Sequence, residues 1–258
     1  MNDVALTARQ VRYTNRAFWR NPQAAFFTFA FPLMFLVIFT ALLGGGTVTI
    51  RGLEFNQSTY YVAGMSAFAI ITACYTNLAI SVTFQRDAGI LKRTRGTPLP
   101  GADYLSARVI HAVLIALLLV AICASFGAAF YNASIPTGGG LVRTIVVVLV
   151  GAASFAALGL ALTGAIPNAD AAPPIVNATI LPLLFISGVF IPIGDNVPKW
   201  VDVVGNIFPV RHLVDAFLGA YYGKPFFDFS WTDVGVVALW GLAGLVVAAQ
   251  TFSWEPRR

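Results

Sequence analysis

The chain is poor in charge, in histidine and in cysteine. Asp, Glu, Lys and Arg make up 10% of its 258 residues, and there are two histidines and two cysteines. Soluble domains carry roughly 25% charged residues, so water is not the solvent this chain suits. Cys74 and Cys123 lie far apart inside apolar runs. That excludes a CxxC-type metal or redox site, and both read as small buried side chains. The sequence has no GxxxxGK(S/T) phosphate loop, no HExxH and no nucleophile elbow, and no paired carboxylates lie inside an apolar run. Intramembrane ionisable groups mark ion pathways and proton relays. Their scarcity argues against a proton-coupled antiporter or an ion channel. His111 and His212 sit near the ends of apolar runs and read as interfacial groups rather than catalysts.

What is plentiful is apolar surface. Apolar residues form 58% of the chain and the mean hydropathy is +0.78. Several uncharged runs reach the ~20 residues that a helix needs to cross a hydrocarbon core. The expected fold is an all-α integral membrane protein, a single transmembrane domain over residues 1–258. Six spans are placed at 24–43, 60–84, 109–130, 144–166, 173–193 and 234–252. The first run follows about twenty polar and basic residues and lacks a small-residue cleavage pattern, so it reads as a retained span rather than a signal peptide. Ala153, Ala157, Ala161 and Ala165 recur every fourth residue in the fourth span and predict a close helix approach there. The mixed stretch 194–233 is too charged to span and reads as short interfacial or re-entrant helices.

Residues 3–21 carry Arg9, Arg12, Arg16 and Arg20 at helical spacing, with Val4, Val11 and Phe18 opposite and Trp19 at the flank. This is the pattern of an amphipathic helix lying in the membrane surface. Asn21-Pro22 then turns the chain into the bilayer. With the N-terminus inside, eleven Lys and Arg residues fall on the cytoplasmic side. Five fall outside: Arg51, Arg143, Lys199, Arg211 and Lys224. The positive-inside rule therefore places both termini in the cytoplasm. The net charge of +5 then serves topology and contact with anionic headgroups rather than nucleic acid.

The polar segment 85–108 is the most charged part of the chain. Arg86 to Arg93 can form a short helix, which Thr97-Pro98-Leu99-Pro100 would stop. On charge pattern alone it could be no more than a solvated basic loop that sets topology. It could also be a docking surface, a charged rim of Arg86, Asp87, Lys92 and Arg93 around the apolar anchor Leu91.

Three stretches resemble the permease subunits of type-2 ABC transporters, most closely the bacterial drug-exporter branch typified by daunorubicin-resistance permeases. They are Arg86-Asp87-Ala88-Gly89-Ile90-Leu91-Lys92-Arg93 with Thr97-Pro98-Leu99, then Ile186-Ser187-Gly188-Val189-Phe190-Ile191-Pro192, then Pro198-Lys199-Trp200 through Phe208-Pro209 to Asp215-Ala216. The order and spacing of these stretches carry the likeness more than any one motif. One departure is Gln85, where such permeases commonly have Glu, which puts a salt link to a partner at that position in doubt.

The resemblance implies an ATP-driven exporter in the cell membrane. The segment after span two would be a coupling helix docking onto an ATP-binding subunit, with Arg86, Asp87, Gly89, Leu91, Lys92 and Arg93 as the contact set. The basic N-terminal segment would be its elbow helix. ATP and magnesium would sit on two copies of that partner and no cofactor on this chain. A second permease chain, identical or sister, would complete the path. Spans one, two and five would line it. Candidate contacts to a lipophilic cargo are Phe35, Phe39, Met65, Phe68, Phe185 and Phe190, with Thr72, Asn77 and Asn177 as polar ones. Two other readings stand beside this one. One is an exporter of a lipid-linked glycan or cell-envelope lipid. The other is a membrane enzyme or scaffold that needs no ATPase.

Overall fold

The computed structural model describes residues 3–43, 47–50, 53–193, 197–222 and 229–255. Arg51, Lys224, Arg257 and Arg258, all counted in the charge bias above, lie outside them, as does part of the stretch 194–233.

Helix α1 (Asp3–Trp19) is followed by α2 (Pro22–Leu43). Proline opens α2 at the one helical position where a missing N–H costs nothing. Two short strands follow, β1 (Thr47–Ile50) and β2 (Leu53–Asn56), antiparallel with Thr47 opposite Asn56 and Ile50 opposite Leu53. This short hairpin was not expected; the rest of the described secondary structure is helical, as the all-α expectation has it. The run Thr47-Val48-Thr49-Ile50 is β-branched throughout and prefers the extended chain.

Asn56 caps the next helix, its side chain accepting from the Thr59 amide at 3.1 Å. That helix runs unbroken over Gln57–Asp87 as α3 (Gln57–Ile70), a π-helical stretch (Ile71–Thr76) and α4 (Asn77–Asp87). It is the most buried of the long helices, and α2 the least. After α5 (Ile90–Arg95) come α6 (Gly101–Tyr131) and α7 (Gly139–Thr163). Helix α6 begins eight residues before the expected third span, so only 97–100 of the segment 85–108 lies outside helix or tight turn.

Helix α8 (Ala172–Ile186) is 15 residues long, shorter than the span expected over 173–193. Ser187 and Gly188 end it, with Gly188 at φ 78°, a backbone conformation that a Cβ disfavours. Helices α9 (Lys199–Ile207), α10 (Pro209–Tyr222) and α11 (Trp231–Thr251) complete the chain. Among the described residues, five helices are thus long and apolar enough to cross a bilayer, namely α2, the α3–α4 unit, α6, α7 and α11. Their outer faces carry exposed large apolar groups such as Phe26, Phe27, Leu42, Leu239 and Leu242. In water such surface would be unfavourable; in lipid it is the ordinary outer face.

Of the alanine row expected in the fourth span, Ala157 meets a close approach: it is buried, and a Cβ on Gly244 of α11 would lie 3.1 Å from its carbonyl carbon. Ala153 and Ala165 are exposed. Glycine provides other close approaches. A Cβ on Gly159 would lie 2.7 Å from the Tyr75 carbonyl oxygen of the π-helical stretch. One on Gly241 of α11 would lie 2.7 Å from Ser154 Cα. In lipid, van der Waals contact rather than water exclusion drives helices together, and backbone-to-backbone approach maximises it.

The two ends of the bundle differ. At one end Thr7 of α1 donates to Asp103 Oδ1 at 2.9 Å, and Trp254 packs on Gly101 and Tyr104. Both described ends of the chain therefore meet the start of α6, beside α5. At the other end Tyr60 donates to the Gly188 carbonyl and Tyr222 to the Asn56 carbonyl, each at 2.5 Å.

Candidate functional site

Helix α4 ends at Asp87 and Gly89 takes φ 68°, which lets the chain turn sharply into α5. Leu91 is fully buried beneath that turn. Arg86 is buried too, with 2% of its surface exposed. Its guanidinium faces the turn between α7 and α8. Nη1 donates to the Thr163 carbonyl at 3.0 Å, and Nη2 to the carbonyls of Ile166 at 2.9 Å and Pro167 at 3.1 Å. Carbonyls at a helix C-terminus have no partner within the helix and carry partial negative charge. Arg86 therefore caps α7 from another helix. Asp87 completes the tie: Oδ1 lies 3.3 Å from Arg86 Nε, and Oδ2 accepts from the Ala169 amide at 2.5 Å.

This placement corrects the sequence reading of the contact set. Arg86 and Asp87, expected in the charged rim, and Leu91, its expected apolar anchor, turn toward the protein: Arg86 and Leu91 are buried, and Asp87 is half-buried with its carboxylate on the Ala169 amide. Lys92 and Arg93 are exposed, with Arg95 beside them. The exposed apolar groups nearby are Ile90 and Phe84. The outward surface of this end is thus basic with two apolar side chains, and Leu91 is not part of it. Gln85 also turns inward, accepting from Tyr104 Oη at 2.9 Å and from Arg108. Its partners lie within the chain.

Arg9, Arg12, Arg16 and Arg20 are all exposed along α1. Phe18 turns the other way to meet His111 of α6, ring centroids 5.4 Å apart, and Trp19 stacks on Phe29 of α2 at 5.6 Å. The end of α1 is thus fixed by aromatic contacts while its cationic face stays free of the bundle.

Of the expected path residues, five aromatics come together. Phe190 lies 5.2 to 5.7 Å, centroid to centroid, from Phe35, Phe39, Phe68 and Phe185. They join α2, α3, the end of α8 and the segment after it. Phe185 is the most open of them, 60% exposed. The other four do not share one surface. Met65 is fully buried in α3. Thr72 Oγ1 donates within its own helix to the carbonyls of Phe68 and Ala69. Asn77 lines a cavity near α1, and Asn177 is exposed on α8.

At the opposite end, Arg211 is buried and pairs with Asp202 at 2.7 Å and with Asp215 at 3.8 Å. His212 Nδ1 lies 2.6 Å from Asp233 Oδ1 and Nε2 lies 2.9 Å from the Asn206 carbonyl. The bond to Asp233 raises the His212 pKa above its ordinary value, against the opposing effect of burial. These ties hold α9, α10 and α11 together. Sequence spacing showed the residues but not the pairing.

Residues 4–222 match the family model of the ABC-2 type transporter. That is most of the chain, and the protein belongs to this family of membrane permeases, which are transporters rather than enzymes. Among similar proteins, the Bacillus subtilis protein named "Putative transport permease YvfS" is 25% identical over 193 residues, covering 75% of this chain and 76% of that one. The Escherichia coli protein named "Probable multidrug ABC transporter permease YbhR" is 25% identical over 175 residues, 68% of this chain and 45% of its own length. The Cyanophora paradoxa protein named "Putative transport permease ycf38" is 22% identical over 215 residues, 80% of this chain and 72% of that one. The chain thus matches under half of YbhR and about three quarters of the other two.

Proposed function

We propose that the chain is the membrane-spanning subunit of an ATP-driven exporter that moves a lipophilic or amphipathic compound, of the drug-exporter kind. The observation that carries this reading is the geometry of α5. It presents Ile90, Lys92, Arg93 and Arg95 outward, while Arg86 and Asp87 fasten the helix before it to the α7–α8 turn. A push on α5 is therefore delivered to α4, α7 and α8 together rather than absorbed by a loose loop. Permeases of the ABC-2 family work with an ATP-binding subunit, and the surface of α5 suits such a partner. ATP and magnesium belong on that partner, in two copies, and a second permease chain faces this one. The name of YbhR supports a multidrug cargo.

In this reading α1, α5 and the C-terminus are cytoplasmic, as the lysine and arginine bias requires. Helix α8 makes the sixth crossing: its start adjoins the Arg86-bound turn, and Gly188 beyond its end reaches Tyr60 at the far side. The cluster around Phe190 is the apolar lining of the path.

The test is reconstitution with the ATP-binding subunit. Ile90→Asp, and Lys92→Glu with Arg93→Glu, should lower cargo-stimulated ATP turnover at least tenfold while the permease still inserts and runs as a single species. Unchanged turnover and assembly in both would sink the docking role of α5. Deletion that changes envelope lipids and leaves drug accumulation untouched would favour the lipid-linked cargo instead.

A further inference from the structure

A cavity of about 190 Å³ lies between α1, the α3–α4 unit and α6, apart from the cluster around Phe190. Its lining changes along its length. Toward the α1 end it is polar, with Gln85, Ser81, Arg108 and His111; deeper in the bundle it is apolar, with Ala73 and Ile115. Polar at the interface and apolar at depth is the profile of an amphiphile held upright in one leaflet.

Its charge is of one sign. Arg108 is the only charged residue in the lining, which contains neither Asp nor Glu. Asp103, five residues earlier on α6, is outside the lining; its Oδ1 accepts from Thr7, and its Oδ2 is buried without a partner among the described residues. Two nitrogens mark the polar end. Arg108 Nη2 donates to Gln85, and the guanidinium lies over the Tyr104 ring at 4.9 Å, which fixes the side chain. Its Nε is buried without a hydrogen-bond partner among the described residues, and so is Nε2 of His111, a residue 8% exposed. Buried polar atoms ordinarily find partners, because each unmade bond costs free energy. A water takes about 30 Å³ of liquid, so the space admits a group considerably larger than one water. The exposed arginines of α1 stand on the same helix and would raise the local concentration of an anion.

We propose that this cavity binds the anionic, phosphate-class headgroup of an amphiphile from the leaflet on the α1 side. Arg108 and His111 donate to the head, and the groove past Ser81 and Asn77 takes the first part of the tail. An occupant there would bridge the elbow helix to α4, the helix that carries α5. The site stands whether or not α5 docks an ATPase.

Native mass spectrometry of the purified chain in detergent tests this, with added phosphatidylglycerol, phosphatidylcholine and inorganic phosphate as separate probes. Arg108→Gln removes the charge and keeps a partner for Gln85. Ser81→Leu fills the groove and leaves the charge in place. Each should weaken phosphatidylglycerol binding about tenfold or more, the loss of one good contact. Arg9→Gln, on the same helix as the rim but outside the lining, should change it less than about twofold. Unfolding midpoints report whether each variant is folded, and either one suffices. Retention of wild-type affinity in the folded variants would overturn the proposal. So would an equal loss in Arg9→Gln, which means diffuse surface attraction. Phosphatidylcholine binding as tightly as phosphatidylglycerol would overturn the anionic head. Inorganic phosphate binding as tightly would overturn the amphiphile.

Discussion

Arg86→Met should be among the most damaging single changes in this chain. Methionine keeps the apolar stem and removes the guanidinium. Three carbonyls, of Thr163, Ile166 and Pro167, then lose their donor, and Asp87 loses its neighbour. A hydrogen bond to a charged group contributes about 1.5–3 kcal/mol net. Against that, a buried guanidinium is no longer kept from water, so the three bonds do not simply sum. Removing one partner of a buried charged arrangement costs about 3–5 kcal/mol, and that is the loss we expect. Native stability is only about 5–15 kcal/mol, so the α7–α8 turn should loosen well before the bundle does. Arg86→Lys should fall between, because a point ammonium cannot fork to three carbonyls. The assay is equilibrium unfolding of purified protein in mixed micelles, together with limited proteolysis of the turn 164–171. Arg86→Met with a wild-type midpoint and an equally protected turn would refute the clamp. Adding Asp87→Asn to Arg86→Met should cost less than the sum of the two, by about 0.5–3 kcal/mol, because the two side chains touch.

Gly159→Val should disrupt the bundle, since its Cβ meets the Tyr75 carbonyl at 2.7 Å and overpacking costs about 1–3 kcal/mol or more; the yield of monodisperse protein reads this out. Phe190→Ala should destabilise by about 0.5–1.5 kcal/mol for each ring pair lost, seen as a lower unfolding temperature. The His212 contribution should depend on pH. Its folded pKa is raised, so the stabilisation is full below the unfolded value of about 6.5 and is lost as pH rises through the folded pKa. Wild type should therefore lose its advantage over His212→Gln between slightly acid and alkaline pH, in thermal unfolding curves run across that window.

Membrane character, the positions of the long helices and the amphipathic α1 were legible because they depend on local quantities: run length, charge scarcity and 3.6-residue spacing. The elements were misjudged where a neighbour decides. The start of α6 was hidden because Asp103, Arg108 and their surroundings look like loop until Thr7 and Gln85 are seen to bond them. The end of α8 was signalled by Ser187-Gly188, but apolar residues on both sides masked it.

The site shows the same division. The sequence by itself determined that segment 85–108 is basic and lies between two spans, since run length and charge act locally; the break at Gly89 falls inside what reads there as one short helix over Arg86 to Arg93. A finer signal was present as well. Ala79, Val82, Thr83 and Arg86 are buried at successive helical steps, so Arg86 continues the inward stripe of α4. Its charge obscured that, because a charged residue faces inward only when acceptors await it. Those acceptors are the carbonyls that end α7, some eighty residues away in the chain. Only the tertiary structure brings them within 3 Å or so of the guanidinium, and so only it decides that Arg86 and Asp87 fasten the helix before α5, leaving Ile90, Lys92 and Arg93 to face outward.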